Sequence, residues 1–209
     1  MANTKLSRAA YVARGYGQLE PNHLSAQRNG QIYAQLPAKG DIDFLENGQF
    51  AKYNYAAGVV DFAGVGEWML VYNEVKLYRE RETYEDFALV KTDYNATVYS
   101  PLGQSDSQVV QVGTGLNGYN IGNFNYPVDM PAGSTMVPRL FKTMPGDIMT
   151  TNTIDEATPA VGDIYTPSAT GYLSKTGVVA ENATQMKWQV VKVYTLADLK
   201  PAVKLMRIQ

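Results

Sequence analysis

Glycine, proline, asparagine and aspartate interrupt this chain at intervals of roughly 8–15 residues, and that punctuation constrains the fold more than any other feature. Proline removes a helix hydrogen bond and glycine favours turns, so no helix of ordinary length fits between the breaks. The intervening runs are rich in β-branched and aromatic residues, which suit a pleated surface. WMLVYNEVKLY (68–78) is the clearest strand: Met69, Val71, Val75 and Leu77 share one face, and Trp68, Leu70 and Tyr72 the other. FALVK (87–91), ATVYS (96–100), SQVVQV (107–112), MVPRLFK (136–142), DIMTTNT (147–153) and GYLSK (171–175) read the same way. MKWQVVKVYTL (186–196) and AVKLMRI (202–208), joined by ADLKP, read as a closing antiparallel hairpin. Asn47-Gly48, between IDFLE and QFAKYNY, is a second hairpin signal because both turn residues tolerate positive φ.

The pattern predicts a mainly β protein with little helix. Residues 40–209 form an antiparallel, sandwich- or barrel-like body, with a split into two units near 101–135 left open. Residues 1–39 lack a period of either kind and carry Gly15, Gly17, Pro21, Gly30 and Pro37, so they read as an extended N-terminal arm. Gly40-Asp41-Ile42, Gly146-Asp147-Ile148 and Gly162-Asp163-Ile164 repeat one turn: glycine supplies the backbone angle, aspartate caps, and isoleucine enters the core.

Charge is sparse and unevenly placed. Charged residues are 18% of the 209, and the net charge is −2. The arm holds five bases against Glu20 alone, net +4, whereas residues 40–98 hold eleven acids and five bases, net −6. There is no cysteine, which excludes disulfides, thiolate metal sites and cysteine nucleophiles. The polar start has no apolar h-region and no run is long enough to span a bilayer, so the expectation is synthesis in a cytoplasm with no membrane partner.

Catalytic constellations are hard to assemble from these residues. Gly113, Gly115 and Gly118 match G-x-G-x-x-G, but a dinucleotide cradle needs a helix after the third glycine. Gly122, Pro127, Pro131 and Gly133 follow instead, so the stretch reads as a loop. His23, the single histidine, sits in the punctuated arm, a poor place for a general base, and zinc would lack ligands. Asp41 and Asp43 would share one face of a strand about 7 Å apart, a geometry for calcium or a glycosidase-like pair. The ordinary reading of two such acids is a solvated strand. No enzyme activity, cofactor or metal is therefore expected. The arm's modest excess of positive charge, without a basic helix, does not point to nucleic acid. Fifteen tyrosines remain, and tyrosine-rich loops such as YNYAAG (53–58) and NGYNIGNFNY (117–126), with Tyr119 and Tyr126, suit sugar stacking or protein contact.

Three stretches resemble the capsid decoration (head-stabilising, or cement) proteins of tailed bacteriophages: ENGQFAKYNYAAGVVDFAGVGEWMLVYNEVKLY (46–78), VPRLFKTMPGDIMTTNTI (137–154) and WQVVKVYTLADLKPAVKLMRIQ (188–209). The resemblance implies a non-enzymatic virion protein on the capsid surface that bridges major capsid subunits and stabilises the assembled shell. Its partners would be the major capsid protein and neighbouring copies of itself or other virion proteins. Arg8, Tyr11, Arg14 and Tyr16 are then the candidate capsid-binding residues, since arginine and tyrosine dominate interface energetics. The alternative is a carbohydrate-binding β module, fibre-base or tail-associated, using its Tyr/Asn-rich loops.

Overall fold

A computed structural model describes residues 16–73, 88–90, 98–100, 110–111, 124–128, 136–175, 186–196 and 199–209. In chain order its strands are β1 (Leu19–His23), β2 (Ile32–Tyr33), β3 (Phe44–Glu46), β4 (Phe50–Asn54), β5 (Val59–Asp61), β6 (Trp68–Val71), β7 (Ala88–Val90) and β8 (Val98–Ser100). They continue with β9 (Val110–Gln111), β10 (Phe124–Val128), β11 (Leu140–Phe141), β12 (Ile148–Thr151), β13 (Ile164–Pro167), β14 (Leu173–Ser174), β15 (Trp188–Thr195) and β16 (Pro201–Arg207). One short helix is described, α1 (Ser25–Asn29). The chain is mainly β and antiparallel, as its punctuation requires.

Two compact units are present: Met1–Val90 with Val137–Gln209, and Lys91–Met136. The smaller holds a three-stranded sheet in the order β8-β10-β9. The larger holds a six-stranded sheet, β1-β12-β16-β15-β13-β14, a five-stranded sheet, β2-β11-β6-β4-β5, and the pair β3-β7. Inward side chains of the two large sheets meet in one core, where Phe50, Leu70 and Phe141 pack with Met149, Trp188, Val203 and Leu205. Phe50 and Trp188 rings lie 5.8 Å apart in tilted contact across it. The six-stranded sheet curls: the chain leaving β12 bridges Ile154 to Leu173, and Asp155 N–H reaches Leu173 O at 2.8 Å.

β15 and β16 form the hairpin that their sequence predicts, pairing Trp188 with Arg207 through to Thr195 with Pro201. The Asn47-Gly48 expectation needs correcting. A tight turn is present, with Gln49 N–H on Glu46 O at 3.2 Å and Gly48 at φ +90°. It joins no hairpin, because β3 pairs with β7 while β4 pairs with β5 and β6. The reason is burial. Glu46, Asn47 and Gln49 are at most 2% exposed, and other segments claim their polar groups. Asn47 O accepts Thr153 Oγ1–H at 2.5 Å, Asn47 Oδ1 accepts Asn73 N–H at 2.7 Å, and Gln49 Nε2 donates to Thr170 O at 2.7 Å. The hairpin appears one turn later, between β4 and β5, where Asn54 Oδ1 accepts Ala57 N–H and Gly58 takes φ +68°.

Two of the three Gly-Asp-Ile copies are the same device. Gly146 and Gly162 take φ +95° and +93°. Asp147 and Asp163 each close a turn through the backbone and accept the N–H three residues back, that of Met144 or Ala160. Asp147 also receives Ser25 N–H and Oγ–H at 2.9 Å each, fastening α1 to the body. Gly40 keeps an ordinary φ, and the turn there closes one residue later, Ile42 N–H to Lys39 O. Isoleucine enters the core as expected at Ile42, but Ile148 is half-buried and Ile164 is 45% exposed.

Gly171 and Gly146 form a matched test. Both have positive φ, but a Cβ at Gly171 would stand 2.1 Å from Phe50 O, whereas one at Gly146 meets nothing within 4 Å. Gly146→Ala is expected to cost only the left-handed strain, about 1 kcal/mol. Gly171→Ala adds a backbone clash and should cost at least about 3 kcal/mol. Urea unfolding of the two variants checks the ordering.

Candidate functional site

Of the four residues expected to contact a capsid, Arg8, Tyr11 and Arg14 lie outside the described residues, and Tyr16 is half-buried where the described chain begins. Immediately after it the chain is fastened down. Gly17 N–H donates to Glu46 Oε1 at 2.9 Å, Gln18 N–H to Asn152 Oδ1 at 2.7 Å, and Thr151 Oγ1–H to Gln18 O at 2.6 Å. A Cβ at Gly17 would fall 2.3 Å from Thr153 Oγ1, so the approach needs glycine. β1 then pairs antiparallel with β12, Leu19 opposite Thr151. The chain at residues 17 and 18 is therefore fixed by one buried and two partly buried hydrogen bonds.

Gly113, Gly115, Gly118 and Tyr119 lie outside the described residues, and Tyr126 falls in β10. His23 is exposed at the end of β1, opposite Ile148. Asp41 and Asp43 are exposed as expected, but not on a strand: β3 starts at Phe44, and Asp41 is in a turn. Lys39 takes Asp41 as an ion-pair partner at 2.8 Å. Among the described residues, no three His, Cys, Asp or Glu side chains are grouped to hold a metal ion.

Two clefts are lined by described residues of the larger unit. The first, about 310 Å³, is lined by Lys39, Asp41, Asp43 and Asp61 with Phe44 and Phe62. Hydrogen bonding to Asp41 and then the charge of Asp41 hold the Lys39 ammonium above its ordinary pKa of 10.5, with Asp61 adding to the effect. The second, about 320 Å³, is lined by Tyr33, Tyr53, Tyr55, Val65, Glu67 and Lys142. Tyr53 meets Tyr33 edge-on and Tyr55 at a tilt, both with centroids 5.6 Å apart. Tyr53 is buried and its Oη accepts Gln35 N–H at 3.0 Å, while Tyr55 is 72% exposed and Val65 fully so. Lys142 pairs with Glu67 at 3.0 Å, which raises its pKa through hydrogen bond and charge. The cleft thus offers an exposed aromatic face beside a carboxylate and an ammonium.

Sequence reasoning picked out the YNYAAG loop but not its partners. Tyr33, Glu67 and Lys142 come from β2, the loop before β6 and the residue after β11, which only sheet pairing brings together. No protein-family model, curated protein or solved structure matches the chain.

Asp41→Asn should lower the Lys39 titration toward its ordinary 10.5, read by NMR, with at most a small fall in melting temperature at neutral pH, because the pair is exposed. The sign is that of a raised ammonium. Whatever stability the pair supplies is fully present below the unfolded lysine pKa and is lost only as pH rises through the higher folded value.

Proposed function

We propose that this chain is a non-enzymatic structural protein of a tailed-phage virion, bound to the outside of an assembled capsid and stabilising it by bridging major capsid subunits. The resemblance of residues 46–78, 137–154 and 188–209 to capsid decoration proteins suggests the role. The observation that carries it is the fastening of residues 17–23 to Glu46, Asn152 and β12. An adhesive arm works best when its root is rigid, since each contact then costs less ordering on binding. Lys5, Arg8, Tyr11 and Arg14 precede that root by three to twelve residues.

The anchoring also dictates the truncation that tests the arm. Residues 17–29 supply β1 and α1, so a cut beyond residue 16 removes part of the body. Deleting residues 1–14 should leave the melting temperature unchanged and abolish co-sedimentation with preformed heads. A truncated chain that binds heads as well as the full chain sinks the arm; absence of the full chain from mass spectra of purified virions sinks the virion assignment.

A second reading, a carbohydrate-binding module at a fibre base or tail, is favoured by the tyrosine cleft, where exposed Tyr55 stands beside Glu67 and Lys142. Aromatic faces stack on sugar rings while nearby polar groups take the hydroxyls. Glycan-array binding that falls at least tenfold in Tyr55→Ala, about 1.4 kcal/mol, would favour this reading, and a silent array would remove it.

A further inference from the structure

The ladder between β15 and β16 contains a defect with a consequence. Val190 pairs with Leu205, but the next pair is Lys192 with Lys204, so β15 carries one extra residue at Val191. A bulge of this kind re-aims the side chains that follow it. Here it sets two lysines directly opposite each other, a cross-strand arrangement that destabilises a sheet. Both ammonium groups approach the ring of Tyr194, at 5.7 Å for Lys192 and 5.5 Å for Lys204. The ring face relieves part of the repulsion. Neither lysine has a carboxylate partner among the described residues. Along the same row the register runs from Lys204 to Thr150 and then to Glu20 on β1, which places that acid two strands, about 10 Å, away.

This is the outer face of the six-stranded sheet, because Met149, Val190, Val203 and Leu205 point the other way into the core. The neighbouring row on the outer face holds Ile148, Met206, Gln189 and Ile164. Ile148 and Met206 are half-buried and Ile164 is exposed. Apolar, methionine and tyrosine side chains have the make-up of a protein interface, and two lysines with no carboxylate partner among the described residues give that face a preference for an acidic counterpart. A nucleic acid would instead be met by a track of cations.

We infer that the outer face of the six-stranded sheet docks an acidic protein surface, with a carboxylate of the partner seated between Lys192 and Lys204 and its apolar neighbours against Ile148, Ile164 and Met206. The inference rests on the virion reading only for who the partner is: shell subunits would supply the carboxylate. It adds a second contact area to the arm.

The test is fluorescence anisotropy at low salt with labelled poly-L-glutamate, and with a labelled DNA duplex of equal charge as the competing arm. The wild-type chain should bind the peptide, Lys192→Glu/Lys204→Glu should weaken it at least about tenfold, and the charge-matched control Arg28→Glu/Lys39→Glu less than about twofold. Lys192→Glu alone makes an opposite-charge pair with Lys204 and should raise the melting temperature by a degree or more, which shows that the substitution is tolerated. Equal peptide binding by the double variant and wild type overturns the inference, as does tighter binding of the duplex than of the peptide. With preformed heads the two claims separate. A wild-type chain that fails to co-sediment sinks the virion reading, whereas equal affinity of wild type and double variant for heads, read by titration, sinks the docking face.

Discussion

The buried polar corner at Glu46-Asn47-Gly48-Gln49 is the constraint on which the larger unit depends. Four residues that would ordinarily face water are buried, and segments next to strands of both large sheets tie to them. Glu46 Oε1 takes Gly17 N–H from the N-terminal segment, and Oε2 takes the hydroxyl of Tyr172, the residue before β14. Asn47 binds Thr153 after β12 and Asn73 after β6, and Asn73 in turn accepts Arg139 N–H before β11. Gly48 N–H goes to Val71 O, and Gln49 reaches Thr170. A buried polar group left without its partner costs about 1–3 kcal/mol, more for a carboxylate, so these contacts stand or fall together. They specify which strands meet at the corner, a task that apolar packing alone does poorly.

Around that corner the apolar core is conventional. Inward residues of β15 and β16, such as Trp188, Val190, Val203 and Leu205, meet Phe50, Leu70 and Phe141 from the facing sheet. The Asp147 and Asp163 turns hold two chain reversals against the same hairpin, through Arg207 and Val190 respectively. The described part of the larger unit carries the three surfaces on which the proposed readings rest: the fastened start of β1, the tyrosine cleft and the outer sheet face with Lys192 and Lys204.

Much of the fold is legible in the text. The β15–β16 hairpin follows from two alternating runs and a short connection, and the strand class follows from β-branched runs between breaks. Asn47-Gly48 is the instructive miss. Positive φ is needed at Gly48 in a hairpin or in a corner, so the dipeptide specifies a turn and not what the turn joins. The Gly-Asp-Ile theme fails in a similar way at Gly40, where the same three letters close a different turn because Lys39 and not a residue further back supplies the carbonyl. At the candidate sites the text says less. Asp41 and Asp43 look paired by spacing, yet Lys39 takes Asp41 as its partner. Tyr33, Glu67 and Lys142 give no joint signal because they are far apart along the chain.

What the amino-acid order determined by itself is local: where turns fall, which runs are strands, and that the ends of the chain differ in charge. Those properties depend on backbone sterics and on neighbours a few residues away. Only the tertiary structure decided that Gly17 sits on Glu46, that a one-residue bulge sets Lys192 opposite Lys204, and that three tyrosines share a cleft with an ion pair. Each brings together residues twelve or more positions apart (Gly17 with Glu46, Lys192 with Lys204, Tyr33 with Tyr53 and Glu67 with Lys142), chosen by strand pairing and burial, which local propensity does not encode.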